Sequence, residues 1–174
     1  GLDRPDEPQP RLFAAARPSP RRAGPVRLAV VGIRRNEGSP ASRLKTLAYL
    51  DNVLARRAAR LAGADEAVML NNRGEVACAA AANLFWFDAG ILLTPALDCG
   101  VLDGITRRAV IEAAGTLGLD VREVRATVAD LARGSGVFLT NSLIGQRPAA
   151  SFDGAPIAPH PAFAALIRVV ARNG

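Results

Sequence analysis

The sequence predicts a mixed α/β fold of the α+β kind, built as a single domain. The chain has 174 residues, of which 49% are apolar, which is enough to enclose a hydrophobic core. Apolar runs of strand length occur beside stretches with the three- and four-residue spacing of amphipathic helices. These two patterns follow one another irregularly, so neither a regular β–α alternation nor an all-β fold is indicated.

The first element predicted is a linker, and a buried strand follows it. Residues 1–25 hold half of the twelve prolines, which favours an extended interdomain segment with a possible short strand over 11–17. Residues 25–32, PVRLAVVG, form an apolar run ended by glycine, the pattern of a buried strand. We therefore expect a linker over 1–25 and the folded domain over 26–174.

A long helix is predicted next, over about residues 44–61, with Gly63 ending it. Its apolar residues recur at three- and four-residue steps, and they are Leu44, Leu47, Leu50, Val53, Leu54, Ala58 and Leu61. Lys45 falls at or just before the first turn of this helix.

The middle of the chain predicts a meander of four short strands. The runs are EAVMLN, EVACAA, NLFWF and ILLTP, and NRG and DAG are the turns within this block.

The last third of the chain predicts three helices and three strands in mixed order. A helix over 104–117 precedes a strand over 121–126, and a short helix over 127–134 has Thr127 and Asp130 in capping-box positions. Strands over 136–141 and 146–152 and a terminal helix over 161–172 complete the pattern.

Composition narrows the classes of partner. The net charge of +6 comes from arginines scattered through every predicted element, and one tryptophan and one tyrosine offer few surfaces for base stacking, so we expect no nucleic-acid partner. The longest apolar stretch, ACAAAANLFWF, is far shorter than the ~20 residues of a membrane span, so we expect no membrane partner. Two cysteines without metal-ligand spacing and a single histidine predict no metal site and a cytoplasmic protein.

Lys45 is the only lysine among 22 basic residues. Arginine cannot form a Schiff base, because its guanidinium keeps its proton, whereas an amine can do so once its pKa is lowered. A chain that uses arginine almost everywhere would retain lysine where the amine itself is required. The survival of one surface lysine by chance explains the observation equally well.

Two stretches could bind an anion. In DGITRR, Gly104 opens a helix, so that bare backbone N–H groups and the Thr106 hydroxyl could hold a phosphate. In LTNSL, residues 139–143, a strand ends in small polar residues that offer further donors. An ordinary helix start and an ordinary loop turn are the alternative explanations.

An amine, a phosphate seat and a donor loop together suggest pyridoxal phosphate, and from about Val26 to Pro148 the chain resembles the large domain of the class-IV aminotransferases. These are the fold-type-IV pyridoxal-phosphate enzymes. The matching stretches, in order, are RLKTLAYLDNVLA, GADEAVMLNNRGEV, AANLFWFDAGILLTP, GVLDGITRR and VFLTNSL. The resemblance implies a twisted, barrel-like sheet with surrounding helices, pyridoxal 5'-phosphate as cofactor, a small amino substrate and a homodimer. It makes an arginine-rich binding module improbable.

The resemblance also implies roles for individual residues near the cofactor ring. Lys45 matches the lysine that bonds covalently to the cofactor and then carries the α-proton of the substrate. Leu102 matches a residue packed against the pyridine ring. Tyr49 stands near a ring-contacting tyrosine of some members, at a different offset from the lysine.

Two further sets of residues correspond to phosphate contacts in the family. Ile105 and Thr106 match the pair at the helix start that binds the cofactor phosphate. Asn141, Ser142 and Leu143 match a loop that gives further phosphate and substrate contacts.

The chain departs from the family pattern at Cys78. Family members have a glutamate five residues before NLF, where it pairs with the pyridine nitrogen and keeps it protonated, and here that position is Cys78. Glu75 cannot substitute, because an offset of three along a strand points to the opposite face. The substitution raises the alternative of a weakened or non-catalytic relative.

The chain also lacks a match to the smaller amino-terminal domain of the family. It starts at Gly1, at about the interdomain segment, and its only methionine is Met69, so we expect the carboxyl-terminal part of a longer protein. The stretches AAAANLFW and TNSL resemble aminodeoxychorismate lyase, which forms pyruvate and 4-aminobenzoate for folate synthesis. D-amino acid and branched-chain aminotransferases are the alternatives.

Overall fold

The computed structural model describes residues 6–18 and 24–173, and this part of the chain forms nine strands and four helices. The strands are β1 (Val26–Val30), β2 (Glu66–Leu70), β3 (Val76–Ala79), β4 (Asn83–Asp88), β5 (Ile91–Pro95), β6 (Val121–Val124), β7 (Ser135–Asn141), β8 (Gly145–Phe152) and β9 (Ala155–Pro156). The helices are α1 (Leu50–Leu61), α2 (Ile105–Thr116), α3 (Val128–Arg133) and α4 (Ala162–Asn173). Two short 3-10 helices span Pro40–Arg43 and Leu97–Cys99.

The strands join into one curled half-barrel sheet, which confirms the predicted mixed α/β class with a barrel-like sheet. Its strand order is β3-β2-β1-β8-β7-β4-β5-β6, with β9 paired to β8. β1 runs parallel to both β2 and β8, and β7 pairs antiparallel with both β4 and β8. β8 therefore connects the two halves of the sheet.

Each half of the sheet is covered by its own helices. α1 packs on β1 and β2 through small residues, since Ala55 and Ala59 are fully buried among Ala67 and Met69. α2 and α4 pack on the other half, where Val110 and Leu166 join the phenylalanines of β4 and β7. α3 is held by the predicted capping box, in which the Thr127 hydroxyl accepts from the Asp130 N–H and the Asp130 carboxylate accepts from the Thr127 N–H.

Two predictions about strands are wrong. Residues 11–17 form no strand, and Leu12 and Phe13 are exposed, because no neighbouring backbone pairs with this segment. The four strands from Glu66 to Pro95 do not form a meander. β2–β3 and β4–β5 are antiparallel hairpins, but β1, β8 and β7 lie between them, because those distant segments provide the remaining pairings.

The first long helix begins later than predicted, at Leu50 rather than near Leu44. Leu44 has extended backbone angles, and Leu47 is completely exposed. The leucines of this loop keep the three- and four-residue spacing of a helix, which is why the sequence predicted a helix there. Spacing alone does not show whether a leucine is buried. Lys45 therefore lies in a loop five residues before α1.

No helix within residues 6–18 and 24–173 combines the length and the apolar character needed to cross a membrane.

Candidate functional site

A pocket of about 650 Å³ opens where four segments of the chain meet. They are the loop before α1, the connection between β3 and β4, the start of α2 and the end of β7. The pocket brings together all nine residues that the sequence predicts for the site, namely Lys45, Tyr49, Cys78, Leu102, Ile105, Thr106, Asn141, Ser142 and Leu143. Its volume lies within the range of small-molecule sites.

Lys45 is an exposed residue in the lining of this pocket. It lies between the 3-10 helix Pro40–Arg43 and α1, and its side chain is exposed. Nζ lies 5.9 Å from the centroid of the Tyr49 ring, a distance at which the ring attracts a cation. Lys45 makes no ion pair with the part of the chain that the structure describes, so its amine is accessible to a ligand in the pocket.

Tyr49 ties the start of α1 to the connection between β3 and β4. Its hydroxyl donates to the carbonyl oxygen of Ala80 at 2.8 Å, and Asn52 Nδ2 donates to the same oxygen at 2.7 Å. Burial, and next the nearby Cys78, raise the pKa of the Tyr49 phenol. The phenol therefore keeps its proton at neutral pH.

The start of α2 is an uncapped helix end that faces the pocket. Gly104 is the N-cap and has no side chain, and the first turn holds no acidic residue. The N–H groups of Ile105, Thr106 and Arg107 have no acceptor within the helix, and the helix dipole adds positive potential there. This arrangement fits the phosphate seat predicted from the sequence.

Gly104 is required at this position by its neighbour Asn83. A Cβ added to Gly104 would lie 2.4 Å from Asn83 Oδ1. Asn83 is buried, and its Nδ2 donates to the carbonyl oxygen of Leu102 at 2.9 Å, which holds the segment before α2 against β4. The sequence motif that contains Asn83 therefore positions the helix start.

The loop after β7 is shaped by Asn141. Its Oδ1 accepts from the N–H groups of Leu143 at 2.8 Å and Ile144 at 2.9 Å, and its Nδ2 donates to the carbonyl oxygen of Ala81 at 2.7 Å. The side-chain amide of Asn141 therefore holds the loop in shape and ties it to the connection between β3 and β4. Ser142 and Leu143 are exposed at the edge of the pocket.

Cys78 lies in β3, almost fully buried, in the wall of the pocket. Burial raises the pKa of its thiol to about 11, so the thiol is neutral at pH 7. Glu75 does not line the pocket, and its carboxylate instead binds Arg73 at 2.8 Å. The one carboxylate among the residues that line the pocket is Asp103, which lies 3.5 Å from Arg108.

Two pocket residues were not singled out from the sequence. Thr140 is fully buried, and its hydroxyl has no hydrogen-bond partner within the described residues. It belongs to the LTNSL stretch, but a threonine in a buried strand carries no distinguishing signal. Arg35 also lines the pocket, although in the sequence it is one of many arginines.

A family model described as amino-transferase class IV matches residues 1–152 of this chain. Among curated relatives, the aminodeoxychorismate lyase of Bacillus subtilis strain 168 is 36% identical over 115 residues, which are 66% of this chain and 39% of that protein.

Solved structures show the same similarity in three dimensions. A putative 4-amino-4-deoxychorismate lyase from Legionella pneumophila superposes with a TM-score of 0.85 at 33% identity, over 90% of this chain and 59% of that one. The branched-chain amino acid aminotransferase from Thermobaculum terrenum, in its PLP-form, gives a TM-score of 0.81 at 30% identity, over 86% of this chain and 50% of that one. The chain therefore spans about half the length of the proteins it resembles.

Proposed function

Because this chain belongs to the class IV aminotransferase family, we propose that it is the cofactor-binding part of an enzyme that acts on an amino-acid-like substrate. Class IV aminotransferases depend on pyridoxal phosphate. The observation that carries the proposal is that an exposed amine and an uncapped helix start line one pocket. The substrate and the reaction of the whole protein are part of the proposal, since the chain spans about half of its relatives.

The polar groups of the pocket fit pyridoxal phosphate. The cofactor needs an amine for its aldehyde, donors for its phosphate and an apolar surface for its ring. Lys45 offers the amine, the start of α2 offers N–H donors, and Leu102 offers an apolar contact. The buried Thr140 hydroxyl, which lacks a partner among the described residues, adds a donor beside Asn83 on the neighbouring strand.

We assign parts in the reaction to Lys45 and to the groups that would hold the phosphate. When bound, pyridoxal phosphate supplies a ring that withdraws electrons from the α-carbon of an attached amino substrate. Lys45 Nζ would hold the cofactor covalently and, once displaced by the substrate amine, would take up and return the α-proton. Backbone N–H groups of Ile105 and Thr106 would hold the phosphate, together with the hydroxyls of Thr106 and Ser142.

The reaction we favour is that of aminodeoxychorismate lyase, with pyruvate and 4-aminobenzoate as products. The support is the resemblance of AAAANLFW and TNSL to that enzyme and the similarity to lyases from two bacteria. Transamination of a D-amino acid or a branched-chain amino acid is the second candidate, and the similarity to the Thermobaculum terrenum enzyme supports the branched-chain form of it. Release of 4-aminobenzoate from aminodeoxychorismate would distinguish the two.

Covalent trapping tests the proposal directly. The protein is mixed with pyridoxal phosphate, reduced with borohydride and digested, and the modified peptide is identified by mass spectrometry. We expect one cofactor per chain, attached to Lys45. Lys45→Arg keeps the charge but removes the nucleophile, so it should abolish the attachment and leave the circular dichroism spectrum unchanged. Attachment elsewhere, or none in the unaltered protein, would contradict the assignment.

We also infer that the protein is a homodimer. α1 turns Leu50, Val53, Leu54 and Leu61 outward, and together with Leu47 they form an exposed apolar face. Such a face favours association. Leu50→Glu should shift the protein toward monomer in light scattering, and a clean monomer of the unaltered protein at all concentrations would contradict the inference.

A further inference from the structure

Arg35 places an uncompensated positive charge in the wall of the pocket. Its Nε donates to the carbonyl oxygen of Gly100 at 3.0 Å, its Nη1 to Asn52 Oδ1 at 3.3 Å, and its Nη2 to the carbonyl oxygen of Ser42. All three acceptors are neutral. Within residues 6–18 and 24–173, no carboxylate oxygen lies within 4 Å of Arg35.

Elsewhere this chain supplies a carboxylate to a guanidinium that it buries. Arg107 is almost completely buried, and its Nη2 lies 2.8 Å from Glu123. Arg56 is half-buried and lies 2.8 Å from Glu66. Arg35 is half-buried as well and lines the pocket, yet its acceptors are all neutral, so its charge is not compensated by a carboxylate of the described residues.

The groups that face Arg35 across the pocket do not cancel this charge. Cys78 and Tyr49 are neutral at pH 7, because burial raises the pKa of both side chains. Lys45 is the only other basic residue among the described residues that line the pocket, and in the proposed function its amine is bonded to the cofactor. Asp103 lies at the start of α2, where Arg107 and Arg108 lie within 4 Å of its carboxylate.

Glu66 in β2 is the carboxylate outside the pocket lining whose charge still acts on Cys78 and Tyr49. Its carboxylate accepts from Arg56 at 2.8 Å and from the N–H of Ala67 at 3.0 Å. Glu66 does not line the pocket. The wall that contains Cys78 therefore presents a cation and a neutral thiol to a ligand.

We propose that Arg35 keeps the pyridine nitrogen of the bound cofactor unprotonated, so that this wall of the pocket presents the ring with a cation in place of a carboxylate. The proposal rests on the proposed function, in which Cys78 stands at the ring nitrogen. The charge of Arg35 already acts on the thiol of Cys78, whose pKa it lowers against the larger effect of burial. A protonated pyridine beside Cys78 is itself a cation, and a like charge close to it disfavours its protonation. A neutral ring withdraws electrons less strongly from the α-carbon, so removal of the α-proton by Lys45 would be slower.

Nuclear magnetic resonance of the loaded protein tests the proposal without measuring turnover. Pyridoxal phosphate labelled with ¹⁵N in the ring is bound, and the ring-nitrogen shift is followed against pH. We expect an unprotonated nitrogen at pH 7. Arg35→Gln should raise the pKa of the nitrogen by about one unit or more, whereas Arg35→Lys, which keeps the cation, should stay near the unaltered protein.

The neighbouring arginine provides a matched control. Arg34 is exposed and does not line the pocket, so Arg34→Gln should leave the pKa of the ring nitrogen unchanged. A nitrogen that is protonated at pH 7 in the unaltered protein would overturn the proposal. Equal pKa values in Arg35→Gln and Arg34→Gln would overturn it as well.

If Arg35→Gln does not fold, a second pair of variants tests whether position 78 faces the ring nitrogen, which the proposal requires. Cys78→Glu sets a carboxylate beside the Arg35 charge and should raise the pKa of the nitrogen, whereas Cys78→Gln should not; equal values in the two would overturn the proposal. Failure of the unaltered protein to attach the cofactor at Lys45 is a different result. It contradicts the proposed function, and this inference falls with it.

Discussion

Gly104→Ala tests whether Asn83 and the start of α2 act as one unit of the pocket. Gly104 has φ −72° and ψ 137°, which alanine adopts without strain, so the backbone contributes no cost. The cost arises from contact, since the added Cβ would lie 2.4 Å from Asn83 Oδ1, where an ordinary contact begins at 3.4 Å. Asn83 or the helix start must therefore move by about 1 Å, the difference between these two distances.

That movement would break the 2.9 Å hydrogen bond from Asn83 Nδ2 to the carbonyl oxygen of Leu102. Leaving buried polar groups without partners costs about 1–3 kcal/mol. At about 2 kcal/mol, the Tm of a chain of this size would fall by about 4–8 °C. The N–H groups that face the pocket would move as well, and the loss of one hydrogen bond to an anion would weaken cofactor binding about tenfold or more.

Gly115→Ala is the matched control in the same helix. Apart from the helix's own backbone, no atom lies within 4 Å of a Cβ added at Gly115, in the last turn of α2. This substitution should not destabilise the protein, with a gain of at most about 0.5–1 kcal/mol, and should leave cofactor affinity unchanged. Tm is measured by scanning fluorimetry, and affinity is measured by titration with pyridoxal phosphate followed by absorbance. A Tm for Gly104→Ala at or above that of the unaltered protein, with unchanged affinity, would refute the reasoning.

Three other substitutions have distinct expected outcomes. Cys78→Glu should increase turnover in steady-state assays, because a carboxylate at the ring nitrogen strengthens electron withdrawal by the ring. Each ~1.4 kcal/mol of transition-state stabilisation is tenfold in rate. An unchanged rate would count against the placement of Cys78 at the ring nitrogen. Thr140→Val removes a hydroxyl without a partner in the described residues, so it should leave the Tm of the cofactor-free protein unchanged and weaken cofactor binding about tenfold. Thr94→Val is the control for Thr140→Val, because the Thr94 hydroxyl donates to the carbonyl oxygen of Leu84 at 2.8 Å outside the pocket. The Thr94→Val protein should have a lower Tm and an unchanged affinity for the cofactor. The reverse result in either variant would contradict the assignment of the Thr140 hydroxyl as a cofactor contact. Asp130→Asn tests the cap of α3. Hydrogen bonds from the backbone N–H and hydroxyl of Thr127, and then Arg133, lower the pKa of Asp130 to about 2, so its stabilisation is present above its ordinary pKa of about 4 and is lost as pH falls toward 2. Urea unfolding should show a deficit of about 1 kcal/mol or less in this variant at pH 7 that disappears near pH 2, and a deficit independent of pH would exclude the carboxylate as its origin.

The sequence determined those features that depend on residues close together in the chain. The bounds of most strands, the capping box of Thr127 and Asp130 and the opening of α2 at Gly104 agree with the structure. Each depends on local apolar spacing or on the hydrogen bonds of one turn, and these are the same in any tertiary setting. The family pattern supplied the nine predicted site residues, and their roles stay predictions, although all nine line one pocket.

The tertiary structure alone decided which distant segments meet. β3 and β4 follow one another in the sequence, yet four strands, β2, β1, β8 and β7, lie between them in the sheet, because strand pairing depends on backbone partners far along the chain. The importance of Arg35 arises in the same way. Nothing near Arg35 in the sequence distinguishes it from the other arginines, and its position becomes visible only where Gly100, Asn52 and Ser42 surround it without a carboxylate. Whether a charged side chain has a carboxylate partner depends on residues that are distant in the sequence and come within a few ångströms only in the folded chain.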